Sequence, residues 1–583
     1  MAGLADLALR RPRALLAGNL AVLALAVLLA VGAPDRLGIG SLAVGEQAGA
    51  GGEPDLIVAT TGRESVHSGP YRVALRVISA QLSSDSGVSA VRRGPVSSDG
   101  RSTSLKVTLA SDDDSNRQRT VERVEREIDP GPLRVAYGGQ VAAVIEARRD
   151  LSGDLWKLEL VVAPLALLLL AGVLGPWLAI APVVCAGTAI AGSLAGLRIA
   201  GGPADVTLLG IAPAAVLGLA LGIEAPSLLV ARFRDEAISA GPDEAIRRAL
   251  GATGDVALPL AVGTIAAAAG LLATGFDPAP SMVFACALAV LLALGSALVC
   301  VPALLALERT RLEARSSEVA GEPALAWAPR TAVGYIASSR ARTGLAAAMA
   351  AVLMIVAAGP LLHGDGRPFS SADLASGSQA AKAAHIWAGD HRGTTADQAS
   401  PRAASDNTSL IGRPALAAGV SAAALALVLA IAFSVRVIPV AVVTMLPAAA
   451  ACGLCVLLFQ DGHLAGVLGQ RRQGALETGA TASLLTALLP ISAARCVTAV
   501  RASRSERSFG LEPPVAAETA AAFTVPAAIY GTAITGLAVG VLAITDLYPA
   551  REFGLAVAAG LLIDLILLRV PLLAALARWG GSD

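Results

Sequence analysis

The sequence predicts a polytopic α-helical membrane protein, with about twelve spans in two one-plus-five repeats and an extracytoplasmic α+β domain after the first span. Three observations lead there. The 583 residues are 55% hydrophobic and only 15% charged, with mean hydropathy +0.66. Uncharged apolar runs of about 20 residues recur, each long enough to cross a hydrocarbon core of roughly 30 Å. The order of polar and apolar segments in the first half then restarts in the second. Balanced charge, +0 at pH 7, argues against nucleic acid as a partner. The spans are built from Ala, Leu, Val and Gly, small residues that suit close helix packing in lipid.

The chain opens with Arg10, Arg11 and Arg13 ahead of an apolar run from Ala14 to Val31. This pattern predicts an uncleaved first span with a cytoplasmic N-terminus, within residues 1–33. A polar segment, 34–154, follows. Its alternating and helical patterns give a strand from Leu56, a helix from Tyr71 to Gln81, strands Val88 to Arg93 and Thr103 to Leu109, a charged helix Asn116 to Ile128, and a strand Leu133 to Tyr137. The order βαββαβ is that of a ferredoxin-like unit. Residues 155–307 hold five further spans: Leu158–Leu174, Trp177–Leu197, Val206–Val230, Val256–Gly275 and Met282–Leu307. A charged connector, Ala231 to Asp255, reads as helical.

After a cytoplasmic linker (308–342) the plan repeats. A span at 343–362 leads into a polar insert, 363–413, whose Gly/Ser/Ala/Asp-rich stretch Ser370 to Asn407 reads as a mobile, disordered linker rather than a folded domain. Residues 414–583 hold the last five spans, at Pro414–Val435, Ile438–Phe459, Ala475–Val497, Ala520–Ile544 and Phe553–Ala577. Arg309, Arg311, Arg315, Arg340, Arg342, Arg436, Arg501, Arg504, Arg507 and Arg578 fall on the side expected to be cytoplasmic, with the C-terminus; Arg471 and Arg472 count against it. A duplicated bundle of this kind favours a transporter.

Ionisable residues at membrane depth cost roughly 2.5–3.5 kcal/mol on insertion scales and mark candidate sites. Glu224 lies in the fourth span, eight residues before Arg232, or roughly 12 Å of helix. A buried carboxylate with no cation beside it is a candidate proton carrier. Arg232 and Arg234 read as anchors at the cytoplasmic end. Asp564, a second proton-coupling candidate, and Arg569, a candidate intramembrane partner, share the last span; five residues do not share one α-helical face, so each is expected to meet another helix or a terminus. Arg495, in the tenth span, is a candidate partner that would reach Glu224 across the pseudo-symmetry axis and lock it as an ion pair.

The six cysteines fall in or beside spans, and Cys452-Gly-Leu-Cys455 reads as structural, without the βαβ context of a redox motif. The five histidines give no metal-ligand cluster, and no nucleophile–base pair or nucleotide-binding loop is apparent. No metal, cofactor or enzymatic activity is expected.

Tyr137-Gly-Gly-Gln140, Gly222-Ile-Glu224 through Arg232-Phe-Arg234-Asp-Glu236, Phe459-Gln-Asp-Gly-His-Leu-Ala-Gly466, and Phe553-Gly554 through Asp564 and Arg569 together resemble the MMPL branch of the resistance–nodulation–division (RND) exporters. The resemblance runs through nearly the whole chain. It implies export of lipids or other hydrophobic molecules from the inner (plasma) membrane, driven by inward proton flow through Asp-Tyr pairs in the fourth and tenth spans. This chain departs from that pattern. Glu224-Ala225 stands at the first pair, and Ala493-Ala494 or Ala494-Arg495 at the second. The second insert is also far shorter than the first. These departures motivate an alternative: a transport-inactive paralogue that scaffolds or regulates a membrane complex. Expected partners are membrane lipids, a lipid-like or hydrophobic substrate, and accessory membrane proteins or further copies of the chain.

Overall fold

The computed structural model describes residues 1–31, 54–111, 114–200, 211–276, 278–315, 327–367, 374, 377–389, 412–433, 438–463, 474–545 and 547–579. Arg436, Arg471 and Arg472 lie outside them. Helices α1 (Ala2–Arg10) and α2 (Pro12–Ala30) lead to an α+β domain: β1 (Leu56–Thr61), α3 (Gly69–Ser84), β2 (Val88–Val96), β3 (Ser102–Leu109), α4 (Asp114–Glu127) and β4 (Arg134–Gly138). The order is the βαββαβ that the sequence predicts. The strands form one antiparallel sheet, β2-β3-β1-β4, with Val58 opposite both Leu105 and Tyr137.

Alternation along β1 decides what each sheet face buries. Leu56 and Val58 pack with Tyr71, Leu75 and Ile78 of α3 and Val121 and Val124 of α4. Ile57 and Ala59 point to the opposite face. The chain leaves the sheet abruptly: Gly139 has φ 88°, and a Cβ there would lie 2.5 Å from the Pro54 carbonyl oxygen. Only glycine fits so close a backbone crossing.

From that turn α5 (Gln140–Leu174) runs into the membrane bundle, followed by α6 (Ile180–Ala200), α7 (Ile211–Ser239), α8 (Pro242–Ala269), α9 (Ala279–Arg315), α10 (Trp327–Ala337) and α11 (Arg340–Ala358). The expected connector Ala231 to Asp255 is not a separate helix; α7 and α8 extend through it and meet at a turn near Gly241.

A helix, α12 (Gln379–Gly389), stands within the stretch expected to be a mobile linker. That expectation is corrected for these residues; 390–411 lie outside the described residues. Ala383, Ile386 and Trp387 cover the Ile57 and Ala59 face of the sheet. The helix sits so close that a Cβ on Gly138 would come within 2.6 Å of the Ala383 methyl. Glu146 accepts the N–H groups of Gln379 and Ala380, both at 2.8 Å, satisfying donors that a helix start leaves open. Small residues at helical spacing, read as linker composition, are what permit this approach.

The remaining elements are α13 (Gly412–Ala432), α14 (Ile438–Val443), α15 (Leu446–Cys455), α16 (Thr478–Ser508), α17 (Pro513–Gly540), α18 (Tyr548–Ile563) and α19 (Val570–Trp579), with a π-helical turn at Asp564–Arg569. Among the described residues, eleven helical segments are long and apolar enough to cross a bilayer, and the shorter Val162–Leu174 end of α5 occupies the place of another. Their burial differs sharply. Only 11% of the apolar stretch of α2 or α11 is covered, against 94% for α16. Helix α16 is the axle of the bundle, packed against α7, α8, α17, α18 and α19. A side chain on α16 therefore meets both halves of the molecule.

Candidate functional site

The buried charge cluster is assembled where α7, α17 and the π-helical turn meet that axle. Glu224 projects from α7 two residues before Pro226, and Arg495 from α16 five residues after Pro490. A proline inside a helix leaves the carbonyl four residues earlier without its usual partner. At Pro490 that carbonyl is Thr486, and the Cys286 thiol from α9 lies 3.9 Å from it. Asp564 opens the π-helical turn and Arg569 ends it.

Arg495 is the hub. Its Nε and Nη2 donate to Oε1 of Glu224 at 2.9 and 2.5 Å, and its Nη1 donates to Oδ2 of Asp564 at 2.7 Å. Nη2 also reaches the Thr532 hydroxyl at 2.9 Å and the Ala528 carbonyl at 3.5 Å, both on α17. Arg569 donates to the backbone carbonyls of Arg495 (3.3 Å) and Thr524 (3.1 Å). Exposure is 6% for Glu224, 2% for Arg495 and Asp564, and 3% for Arg569. With all four ionised the cluster is neutral, which is how charges persist in a dry interior. Removing one member would leave an uncompensated buried charge, at a cost of about 3–5 kcal/mol.

The sequence singled out all four groups, and the structure brings them together. Glu224 is paired with Arg495 rather than standing alone. Asp564 and Arg569 each meet a neighbouring helix. Sequence reasoning placed a span at Ala520–Ile544 but missed the part that α17 plays in the cluster. Thr532 completes the guanidinium's coordination, and Gly531 makes room for the acid, since a Cβ there would lie 2.5 Å from Oε1 of Glu224. A threonine and a glycine in an apolar run carry no signal of either role.

Arg232 and Arg234 lie at the end of the bundle away from the α+β domain. Arg234 donates to the carbonyls of Val173 and Leu174 at the C-terminus of α5, where a helix dipole favours a cation. Arg232 lies 3.6 Å from Glu506, and its guanidinium stacks 4.6 Å from the Phe523 ring centre. A cleft opens at this end, lined by Ala225, Leu229, Arg232, Arg501, Phe523 and Thr524 among others. Two of its lining residues neighbour the cluster: Ala225 follows Glu224 in sequence, and the Thr524 carbonyl accepts from Arg569. All six cysteines are buried with free thiols, and no group of His, Cys, Asp or Glu among the described residues could hold a metal ion.

What can this arrangement do chemically? Arginine stays protonated under all ordinary conditions. Only the two carboxylates can take up a proton, and doing so turns a neutral cluster into a cationic one and removes one arm of the Arg495 bridge.

The architecture has close structural parallels. The chain shares its fold with SecDF, a translocon-associated membrane protein from Thermus thermophilus, at TM-score 0.54 and 16% identity over 90% of this chain and 85% of that one. It is also similar to SecDF in a super-membrane-facing form, at TM-score 0.54 and 14% identity over 98% of each chain. No curated protein matches the chain in sequence. The family model described as the MMPL family matches residues 60–359, more than half of the 583 residues, and takes in most of the α+β domain, the helices α5 to α10 and α11. The chain belongs to the MMPL family.

Proposed function

We propose that this MMPL-type membrane transporter exports lipids or other hydrophobic molecules, and that proton movement drives it through the Glu224–Arg495–Asp564 network. The observation that carries this reading is one guanidinium shared by two carboxylates from different helices, in a place with no bulk water. A proton arriving on either acid cancels one of two competing attractions on Arg495. The guanidinium then has a single ionic partner, and α16 is released from whichever neighbour, α7 or the π-helical turn, carries the proton. Loss of the proton restores the contact. An alternation of this kind needs a fixed cation and two titratable partners, which is what α16, α7 and the π-helical turn supply. The cytoplasmic face is then the Arg232 end, with the α+β domain and α12 outside, and the cargo passes beside that domain.

The test is efflux of a fluorescent lipid from vesicles holding the full chain, with and without an imposed proton gradient, in wild type and Glu224→Gln. Gradient-dependent efflux in wild type that the substitution abolishes supports the reading. Efflux indifferent to both would sink the coupling. One observation favours the second reading, a transport-inactive scaffold: Arg495 grips Glu224 through two donors, as a permanent lock would. On that reading no lipid is moved, and Glu224→Gln alters only stability.

A further inference from the structure

Asp564 and Arg569, at the two ends of the π-helical turn, each carry a buried group that no other protein group meets. Oδ2 of Asp564 is taken by Arg495, but Oδ1 is buried without a hydrogen bond. Both terminal nitrogens of Arg569 are taken by the carbonyls of Arg495 and Thr524, but its Nε is buried without an acceptor. An acceptor and a donor buried without a partner from the protein are each unfavourable.

Ordinary helix geometry would keep them apart. Five residues of α-helix turn through about 500°, leaving the two side chains about 140° apart. Here the segment Asp564–Arg569 is a π-helical turn. Its i→i+5 hydrogen bonds bring residues five apart close to one face. The turn spans the two ionisable residues, beginning at one and ending at the other.

We infer that Arg569 is the alternative partner of Asp564, and that the π-helical turn exists to place it there. When Arg495 commits to Glu224, Asp564 passes to Nε of Arg569 and remains ionised; Glu224 is then the acid whose proton comes and goes. Arg569 is a positioning residue, holding a charge on Asp564 rather than touching cargo. The other charged or titratable groups facing Asp564 are Arg495 and the Cys496 thiol of α16, with Glu224 of α7 beyond the guanidinium. This deepens the proton-coupling reading above, but concerns ionisation and can be tested without any transport.

The measurement is infrared spectroscopy of the purified full chain in lipid nanodiscs at neutral pH, reading the C=O stretch of protonated carboxyls. Bands are assigned by their loss on adding Asp564→Asn or Glu224→Gln. In Arg495→Gln, Asp564 is expected to give no such band, because Arg569 keeps it ionised. In Arg495→Gln/Arg569→Gln its band is expected to appear. An Asp564 band already present in the single variant, or still absent in the double, overturns the inference. Should the double variant not fold, deletion of Ile566, a largely exposed residue of the turn, takes its place in the Arg495→Gln background. Restoring α-helical register there swings Arg569 away and should bring out the same band; silence overturns the proposal. A chain that exports nothing yet behaves as expected here would discard the transport reading and keep this one.

Discussion

The two halves of the molecule answer the same structural problem with opposite charges. Helix α7 brings a carboxylate, Glu224, to the bundle centre, and its counterpart α16 brings a guanidinium, Arg495, to meet it at 2.5 Å. Outside the membrane the halves differ as well. The first carries a four-stranded α+β domain, whereas the described part of the second insert contributes chiefly α12, laid on that domain's sheet. In both places the second half has become the complement of the first rather than its copy. A duplicated architecture thus closes on itself, with one charge cluster and one soluble core shared between the halves.

The cluster is where the comparison breaks most visibly. Arg495→Ala leaves Glu224 and Asp564 buried without their common cation, and is expected to cost about 3–5 kcal/mol, read as a large fall in thermal midpoint in detergent. Adding Glu224→Gln and Asp564→Asn should recover much of it, because the stranded charges are then gone. A full loss that the neutral pair does not relieve would mean that packing, not charge, sets the effect.

Next in size is the seam between the soluble parts. Gly138→Val drives a branched side chain into Ala383 and the Ala380 backbone, an overpacking worth about 1–3 kcal/mol. Amide exchange in 379–389 should accelerate while α3 and α4 keep their protection. Gly531→Ala tests clearance in the cluster at a similar or smaller cost, since the new methyl displaces Glu224. If stability and proton-dependent transport were both untouched, Glu224 would not need its observed position.

The smallest effect belongs to the first half alone. Two hydrogen bonds from the Arg123 guanidinium, at 2.7 Å each, together with the Gly87 N–H, hold the Asp85 carboxyl below its ordinary 3.8. The folded domain then binds that proton less readily than the unfolded chain. The stabilisation is complete above the unfolded value and fades as pH falls through the lower folded one. Asp85→Asn should cost about 1 kcal/mol or less at pH 7 and nothing well below pH 3, as read from chemical unfolding at both pH values.

Much of this was legible in the residues. Long uncharged runs have one stable solution in lipid, a helix with its backbone groups paired internally, so the spans and their repetition follow from composition and order. Strand alternation and helix periodicity likewise gave the βαββαβ order. The rarity of charge in such runs made Glu224, Arg495, Asp564 and Arg569 conspicuous. Helix α12 was hidden because alanine and glycine look the same in a loose linker and in a tight seam; what distinguishes them is the partner surface at Gly138.

The sequence by itself determined that these four charges are buried in a membrane bundle, because hydropathy is a local property that each segment carries with it. The tertiary structure decided how they pair. Whether Glu224 stands alone or grips Arg495 depends on the rotation of α16 against α7 and on the space Gly531 leaves. Whether Asp564 and Arg569 share a face depends on one π-helical turn. Such distances belong to the packing of several helices at once, and no single stretch of chain encodes them.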